Sequence, residues 1–209
     1  MDWDFEALPV ASRYKLLVAL VTPRPIAFVS TRSAQGAENA APFSFFNVMG
    51  EDPPIVVISM DRRGGGARKD SARNILETSQ FVVNMVDEGI LERMHRCSID
   101  FPPEVSEFAE SGLTPAPAEK VAAPRIAESP VSMECRLHTH LDLGTRDLFV
   151  GEIVWLHVRD GIVDPATLRV APEYAPVGRL YANQYTRTHD RVALDQNAYV
   201  QEMRRRGRA

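Results

Sequence analysis

A glycine-rich stretch, "RRGGGARKDSARN" (62–74), brings a cation and a hydroxyl to the predicted start of a helix. Asp70 or Ser71 is the expected N-cap, and apolar residues at helical spacing follow. Free N–H groups at a helix start, the helix dipole, the Lys69 ammonium and the Ser71 hydroxyl together suit a phosphate. The stretch matches neither a Walker loop nor a dinucleotide GxGxxG motif. A capped surface helix after a flexible loop is the alternative.

A second stretch, "NAAPFSFFNVM" (39–49), threads amides and a hydroxyl through three phenylalanines. Unpaired polar groups in a core cost about 1–3 kcal/mol each, so Ser44 and Asn47 need partners. Backbone groups of a bulged loop are one source. A flat ligand with polar edges, such as a flavin, is another: Ser44 and Asn47 would serve its ring and ribityl chain, and Lys69 and Ser71 the phosphate of FMN.

Other reactive side chains form weaker patterns. His138 and His140 share one strand face, as zinc ligands can, but no third ligand stands at a telling spacing. Cys97 follows two basic residues that could lower the pKa of its thiol, yet packing is the simpler interpretation. No GxSxG elbow occurs. The catalytic residues thus stay unassigned, and we predict no metal site.

The elements that must position these residues are mostly strands. Runs rich in apolar and β-prone residues, separated by turn signals, predict short strands with one or two helices inserted. In 131–143, Met133, Cys135, Leu137 and Leu141 are expected on a buried face, opposite Glu134 and the histidines. This pattern predicts a mainly β fold, a barrel with helical additions. The predicted strands are 26–31, a second strand after the turn at 34–39, and 55–60, 81–86, 131–143 and 147–160. The predicted helices begin near 70, 88 and 104.

Composition narrows the function classes. The 209 residues are 44% hydrophobic and 25% charged, which fits a globular protein, and we expect a single domain over 1–209. A net charge of −4 argues against a nucleic-acid or anionic-membrane partner. The N-terminus lacks the pattern of a signal peptide, and no apolar run is long enough to span a membrane. With only two cysteines, a cytoplasmic location is expected.

Three ordered pieces of sequence carry a family resemblance. They are "RPIAFVSTRSAQGAENAAPFSFFNVMGEDPPIVVISM", "RKDSARNILETSQFVVNMV" and "MECRLHTHLDLGTRDLFVGEIVWLHV". Together they resemble the flavin reductase-like family of FMN-binding split barrels, in its flavoredoxin-like branch, over about 20–185. The resemblance implies a six-stranded antiparallel Greek-key split barrel with added helices. It also implies a homodimer with FMN near the subunit interface.

The family's flavin-binding pattern transfers to numbered positions. Its "N-x-A-P-x-S-x-F" segment, which lines the isoalloxazine and ribityl, matches 39–46. Its strand-ending serine matches Ser59, and its "K-D-[ST]-x-x-N" helix start matches 69–74, where Lys69 and Ser71 would meet the phosphate. The predicted cofactor-binding residues are Thr31, Asn39, Ala41, Ser44, Phe45, Asn47, Ser59, Lys69, Asp70 and Ser71.

One position departs from the family pattern. Short flavin reductases tend to carry "GDH" before the last long strand, with the histidine on the nicotinamide side of the flavin, whereas this chain has "GTR" (144–146). The change argues against rapid NADH-driven turnover but not against flavin binding. Arg146 could meet an anionic substrate or a pyridine nucleotide phosphate. Tyr181 or Tyr185 could cover the flavin of a neighbouring subunit.

The resemblance thus implies an oxidoreductase. Electrons would pass from NAD(P)H or another donor through FMN to a small-molecule or protein acceptor. The alternative is a non-enzymatic FMN-binding electron carrier that only a partner protein reduces. A barrel that has lost its flavin is disfavoured by the intact Lys69, Asp70 and Ser71.

Overall fold

The computed structural model describes residues 1–99, 101 and 105–206, and most of its regular structure is β-sheet. All strand pairings are antiparallel. The strands are β1 (Ala27–Arg32), β2 (Glu38–Phe43), β3 (Phe46–Glu51), β4 (Pro54–Asp61), β5 (Gln80–Asn84), β6 (Pro115–Ala116), β7 (Arg125–Ile126), β8 (Val131–Asp142), β9 (Arg146–Val158), β10 (Gly178–Arg179) and β11 (Tyr185–Thr186).

Seven strands form one sheet in the order β2-β1-β5-β8-β9-β4-β3, and the two short pairs β6-β7 and β10-β11 stand apart from it. The outermost strands, β2 and β3, are joined by only Ser44 and Phe45. Consecutive Cα atoms lie about 3.8 Å apart, so the ends of β2 and β3 are within about 11 Å of each other. The sheet must therefore curl into a barrel. This confirms the predicted mainly β, split-barrel fold.

The sheet has one strand more than the six expected. The additional strand is β3, which pairs with β4 alone and lies at an edge. Asn47, Val48 and Met49 on β3 are all exposed, and the pairing is irregular between Val48 and Gly50. Such a strand has no alternation of apolar and polar residues, so the sequence pattern did not reveal it.

The barrel interior holds a closely packed apolar core that draws on all seven strands and one helix. Gly151 on β9 marks the tightest approach, because a Cβ there would lie 2.3 Å from Cζ of the buried Phe81. The core residues are Ala27, Val29, Phe43, Phe46, Val56, Ile58, Met60, Ala72, Ile75, Phe81, Val83, Met133, Cys135 and Phe149.

Helices lie outside the barrel. The chain forms α1 before β1, which was not predicted, and Val18 is its only buried residue. No helix among the described residues combines the length and hydrophobicity needed to cross a bilayer. The helices are α1 (Val10–Leu20), α2 (Asp70–Thr78), α3 (Leu91–Arg96), α4 (Glu107–Ser111) and α5 (Gln196–Arg205), with a 3-10 turn at Glu88–Ile90.

Strand β8 differs from the predicted alternation. Its pairing with β9 is shifted by irregularities between Glu134 and Cys135 and between Leu137 and Thr139. Each inserted residue changes the face that the following side chains occupy. The residue inserted between Leu137 and Thr139 leaves Leu141 half exposed. Glu134 precedes both irregularities; it is fully buried, and its carboxylate accepts hydrogen bonds from the N–H groups of Glu119 and Lys120. The expectation of one apolar and one polar face along the whole strand was wrong.

Candidate functional site

A large cavity of about 1080 Å³ opens beside the link between β2 and β3. Its walls come from α1, the start of α2, the turn before β9 and the segment 179–185. The cavity therefore gathers parts of the chain that are far apart in sequence around the strand edge where the barrel is split. A pocket of this kind is the default location for a ligand site.

Most of the residues predicted to bind a cofactor meet here. Two do not line the cavity: Thr31 is buried and accepts a hydrogen bond from Asn74 Nδ2 at 3.0 Å, and Asn47 is exposed and accepts one from the Val48 N–H at 2.8 Å. Their cofactor contact stays a prediction. The predicted residues that line the cavity are Asn39, Ala41, Ser44, Phe45, Ser59, Lys69, Asp70 and Ser71.

The start of α2 forms one end of the cavity. Lys69 is the N-cap, one residue before Asp70 and two before Ser71, the two predicted caps, and its side chain makes no capping hydrogen bond. The Lys69 ammonium instead lies 3.1 Å from Asp61 Oδ1 and 5.9 Å from the centre of the Phe43 ring. Ser71 on the first turn is buried and lines the cavity. An uncapped helix start with a lysine and a hydroxyl fits the phosphate of a cofactor.

Asn39 connects this helix start to α4. In the amide orientation that satisfies both polar atoms, Asn39 Oδ1 accepts from Ser71 Oγ at 2.8 Å, and its nitrogen donates to Glu107 Oε1 at 3.2 Å. Burial raises the pKa of Glu107, and the negative charge of Asp70 acts in the same direction. Glu107 lies on the short helix that the sequence predicts from about 104, but no sequence pattern connects it with the site.

The middle of the cavity is the Ser44–Phe45 link, with an arginine on each side. Arg24 donates from Nε to Ser44 Oγ at 3.3 Å and from Nη1 to the carbonyl of Val18 at 2.5 Å. Arg146 stacks on Phe45, with its guanidinium carbon 4.5 Å from the ring centre. Phe45 also lies 6.4 Å, between ring centres, from the α1 residue Tyr14.

Arg24 and Tyr14 were not predicted as site residues. Arg24 is buried to 8% exposure, and desolvation lowers its pKa although it remains a cation. Its position between two prolines gave no signal of burial. Tyr14 belongs to the helix that the sequence pattern did not reveal.

Asp147 anchors the glycine-rich loop to the hairpin of β8 and β9. Its carboxylate accepts from Arg62 Nε at 3.0 Å, Arg68 Nε at 3.1 Å and His140 Nε2 at 2.8 Å. Burial alone would raise the pKa of Asp147, but these hydrogen bonds outweigh it and lower the pKa to about 2. Because Arg62 and Arg68 flank the loop that leads to Lys69, the carboxylate positions the start of α2.

The histidine pair is explained by packing. His140 bonds to Asp147 and stacks on Phe149 with ring centres 5.0 Å apart, while His138 is exposed. Within 1–99, 101 and 105–206, no three His, Cys, Asp or Glu residues are grouped so that they could hold a metal ion. Cys97 is buried next to Ser111, and burial raises the pKa of its thiol to about 11. The thiol is therefore not an activated nucleophile.

The chain matches the family model described as "Flavin reductase like domain" over residues 20–186. It belongs to the flavin reductase-like family. Among solved structures, the chain is similar to the 2-nitrobenzoate 2-nitroreductase NbaA of Pseudomonas fluorescens. The two sequences are 41% identical, and the structures superpose with a TM-score of 0.86. The match covers 93% of this chain and 95% of NbaA.

Two further similarities extend over nearly the whole chain. Nitrilotriacetate monooxygenase component B from Bacillus cereus is 31% identical with a TM-score of 0.88, over 93% of this chain and 98% of that protein. A protein of Aquifex aeolicus is 44% identical over 87% of this chain and 92% of its own length. Family and neighbours together support a flavin-related oxidoreductase with a flavin cofactor.

We predict that Asp147→Asn destabilises the protein at neutral pH by about 1.5–3 kcal/mol, the range for hydrogen bonds to a charged group. Folding lowers the pKa of Asp147, so the stability it contributes is complete above its unfolded pKa of about 3.9 and is lost as pH falls to about 2. The variant should lose less stability than the wild type across this interval. Urea unfolding at a series of pH values measures both effects.

Asp160→Asn is the matched control, since Asp160 is exposed in a turn and its replacement should change stability by less than about 0.5 kcal/mol. Equal stability of the wild type and Asp147→Asn at pH 7 would contradict the anchoring role of Asp147.

Proposed function

We propose that this protein is an FMN-dependent oxidoreductase that takes electrons from NAD(P)H or another donor and passes them to an acceptor. The observation that carries the proposal is the shared cavity. An uncapped helix start with Lys69 and Ser71 opens onto the same space as the polar and aromatic link at Ser44 and Phe45. Both ends of FMN, its phosphate and its flat ring, thus have suitable partners.

The assignment of residues follows from their chemistry. Lys69, Ser71 and the first N–H groups of α2 would hold the phosphate through charge and hydrogen bonds. Asn39, Ser44 and Ser59 offer polar groups to the ribityl chain and the ring edge. Ala41 and Phe45 supply apolar surface to the ring faces. Bound flavin would supply the electron-transfer chemistry, and the protein its binding, orientation and polarity.

The neighbours support the same function. NbaA is named a nitroreductase, and the Bacillus cereus protein is a component of a monooxygenase. Both names describe redox chemistry with small organic acids. The cavity of about 1080 Å³ is at or above the roughly 300–1,000 Å³ typical of ligand pockets, which leaves space for a second molecule beside the cofactor.

A second candidate is an FMN-binding electron carrier that only a partner protein reduces. The observation in its favour is Arg146, which stands where related reductases tend to have a histidine on the nicotinamide side. Arg146 is bonded to Ser59 Oγ at 2.8 Å and lines the cavity. A large cationic side chain at that place alters how a nicotinamide would approach the flavin.

We also propose a homodimer in the cytoplasm. Large apolar side chains are exposed on two neighbouring regions of the sheet, with Val48 and Met49 on β3 and Trp155 and Leu156 on β9 among them. A second copy of the chain would remove this surface from water. Both cysteines are free thiols, which suits a reducing compartment.

We predict that the FMN-loaded protein, mixed with NADH or NADPH in the absence of oxygen, loses its flavin absorbance faster than free FMN at the same concentration. The cavity would hold the flavin in a fixed orientation toward the electron donor, and this orientation raises the rate of reduction. Bound flavin that neither nucleotide bleaches would favour the electron carrier. A protein that binds no FMN in titration would overturn the flavin assignment.

Replacing both Lys69 and Ser71 with Ala should weaken FMN binding about 10- to 100-fold, because charge-assisted hydrogen bonds to the phosphate are lost. Riboflavin has no phosphate, so its affinity should change little. Fluorescence titration of both flavins measures the difference. Lys120→Ala is the matched control, since Lys120 lies against Trp155 away from the cavity. Equal losses for the two flavins would refute the phosphate assignment.

We expect a mass of twice 23.3 kDa by light scattering at micromolar concentration. Replacing Val48 and Met49 with Lys should shift the protein toward monomer, because charged side chains at the centre of an interface are strongly unfavourable. Trp3→Lys, which changes another exposed apolar residue, is the control. A wild-type protein that is monomeric and still binds flavin tightly would contradict the proposal.

A further inference from the structure

Arg146 is held in a fixed orientation by one edge of its guanidinium. Nε donates to Ser59 Oγ at 2.8 Å, and Nη2 donates to the Ser59 carbonyl at 3.1 Å. The flat face of the group rests on the Phe45 ring at 4.5 Å. These contacts leave Nη1 unused, and Arg146 lines the cavity. The side chain is therefore pre-organised, with a remaining hydrogen-bonding edge that has no assigned partner.

The charge of Arg146 is not neutralised by any carboxylate of the described residues. Among the residues that the structure describes, no carboxylate lies within ion-pair distance of Arg146. Two other cations that line the cavity do form ion pairs: Lys69 pairs with Asp61, and Arg63 pairs with Asp70. An unpaired guanidinium in a cavity is a ready site for an anion.

Arg24 differs from Arg146 because its donors are already used. Its Nη1 and Nη2 groups donate to the backbone carbonyls of Val18, Val21 and Leu180. Arg24 is thus a structural connection between α1 and the last part of the chain. Its positive charge still adds to the potential at the Ser44–Phe45 link, so the anion that Arg146 would bind is favoured from both sides of the link.

The cavity wall near Arg146 carries aromatic surface, because Phe45, which stacks on Arg146, lies beside Tyr14. The Tyr14 ring is inclined at 34° to the ring of Phe45, and both rings line the cavity. A ligand whose anionic group is attached directly to a flat ring could bond to Arg146 and cover these side chains at once. A planar carboxylate matches the geometry of the guanidinium fork.

We propose that Arg146 is the binding residue for an aromatic carboxylate, which occupies the cavity as a second ligand. We assign this carboxylate as the electron acceptor, and that part of the inference rests on the proposed function. Binding itself needs only Arg146 and its aromatic neighbours, and it is testable without flavin. Ser59 orients the Arg146 guanidinium through two groups, its hydroxyl and its backbone carbonyl.

The test is calorimetric titration with benzoate and with benzamide, which has the same shape and no charge. Both the flavin-free and the FMN-loaded protein are titrated. We expect benzoate to bind more tightly than benzamide, and Arg146→Gln to lower the affinity for benzoate about 10- to 100-fold. Arg146→Lys keeps the positive charge but lacks the planar guanidinium, so it should lose an intermediate amount of affinity for benzoate. This variant replaces Arg146→Gln in the test if the latter does not fold.

Arg136→Gln is the matched control, because Arg136 is exposed on β8 outside the cavity. Equal binding of benzoate and benzamide by the wild type would overturn the inference. So would an Arg146→Gln variant that loses affinity only for NADPH and not NADH, since the anion would then be the nucleotide 2′-phosphate. A loss restricted to FMN over riboflavin would assign Arg146 to the flavin phosphate instead.

Failure of the proposed function gives a different result. A protein that binds benzoate through Arg146 but neither binds FMN nor accepts electrons would retain the carboxylate site and lose the oxidoreductase assignment.

Discussion

The short connection between the two edges of the sheet is the constraint on which the rest of the structure depends. Two residues, Ser44 and Phe45, must join β2 to β3 across the opening of a seven-stranded sheet. Neither residue can be part of the regular sheet, so their polar and aromatic groups are left at the rim of the barrel. The cavity forms where the regular strand ladder is interrupted: the Phe45 carbonyl still accepts from the Ser59 N–H at 2.8 Å, and both residues of the link line the cavity.

A second set of contacts fixes the start of α2 relative to the barrel. The glycine-rich loop between β4 and α2 has little apolar surface of its own, and three consecutive glycines give it wide conformational freedom. Its ends are tied down by Arg62 and Arg68 on the buried carboxylate of Asp147. Since Asp147 belongs to β9, the long central strand fixes Lys69 and Ser71 relative to the link at Ser44 and Phe45.

The sequence predicted the secondary structure best where a local pattern alone determines it. The buried strands β4 and β5 and the start of α2 were predicted to within two residues, because apolar runs and glycine breaks are local signals. Most of the candidate site followed from the family pattern, including the eight side chains that line the cavity. The misses were α1 and β3, which are largely exposed in the single chain and so lack a periodic apolar face.

The remaining errors came from tertiary effects that no local pattern encodes. Thr31 lies on the strand nearest the helix, but its hydroxyl faces Asn74 of α2 and not the cavity. The irregular pairing of β8 with β9 exchanged the faces of its C-terminal half, which exposed Leu141 and directed His140 toward Asp147. Arg24, Glu107 and Tyr14 reach the cavity from elements far away in the chain, so only the folded topology shows that they belong to the site.

The charges around the cavity divide into two groups with different physical roles. At the helix start, Lys69 is balanced by Asp61, an exposed carboxylate that a phosphate could displace at small cost because the pair is solvated. Arg146 has no such partner among residues 1–99, 101 and 105–206, and its orientation is set by neutral groups of Ser59 and by the Phe45 ring. A cation held by neutral contacts keeps its full charge available to a ligand. This difference distinguishes the proposed phosphate site from the proposed site for a second anion, although both lie in one cavity.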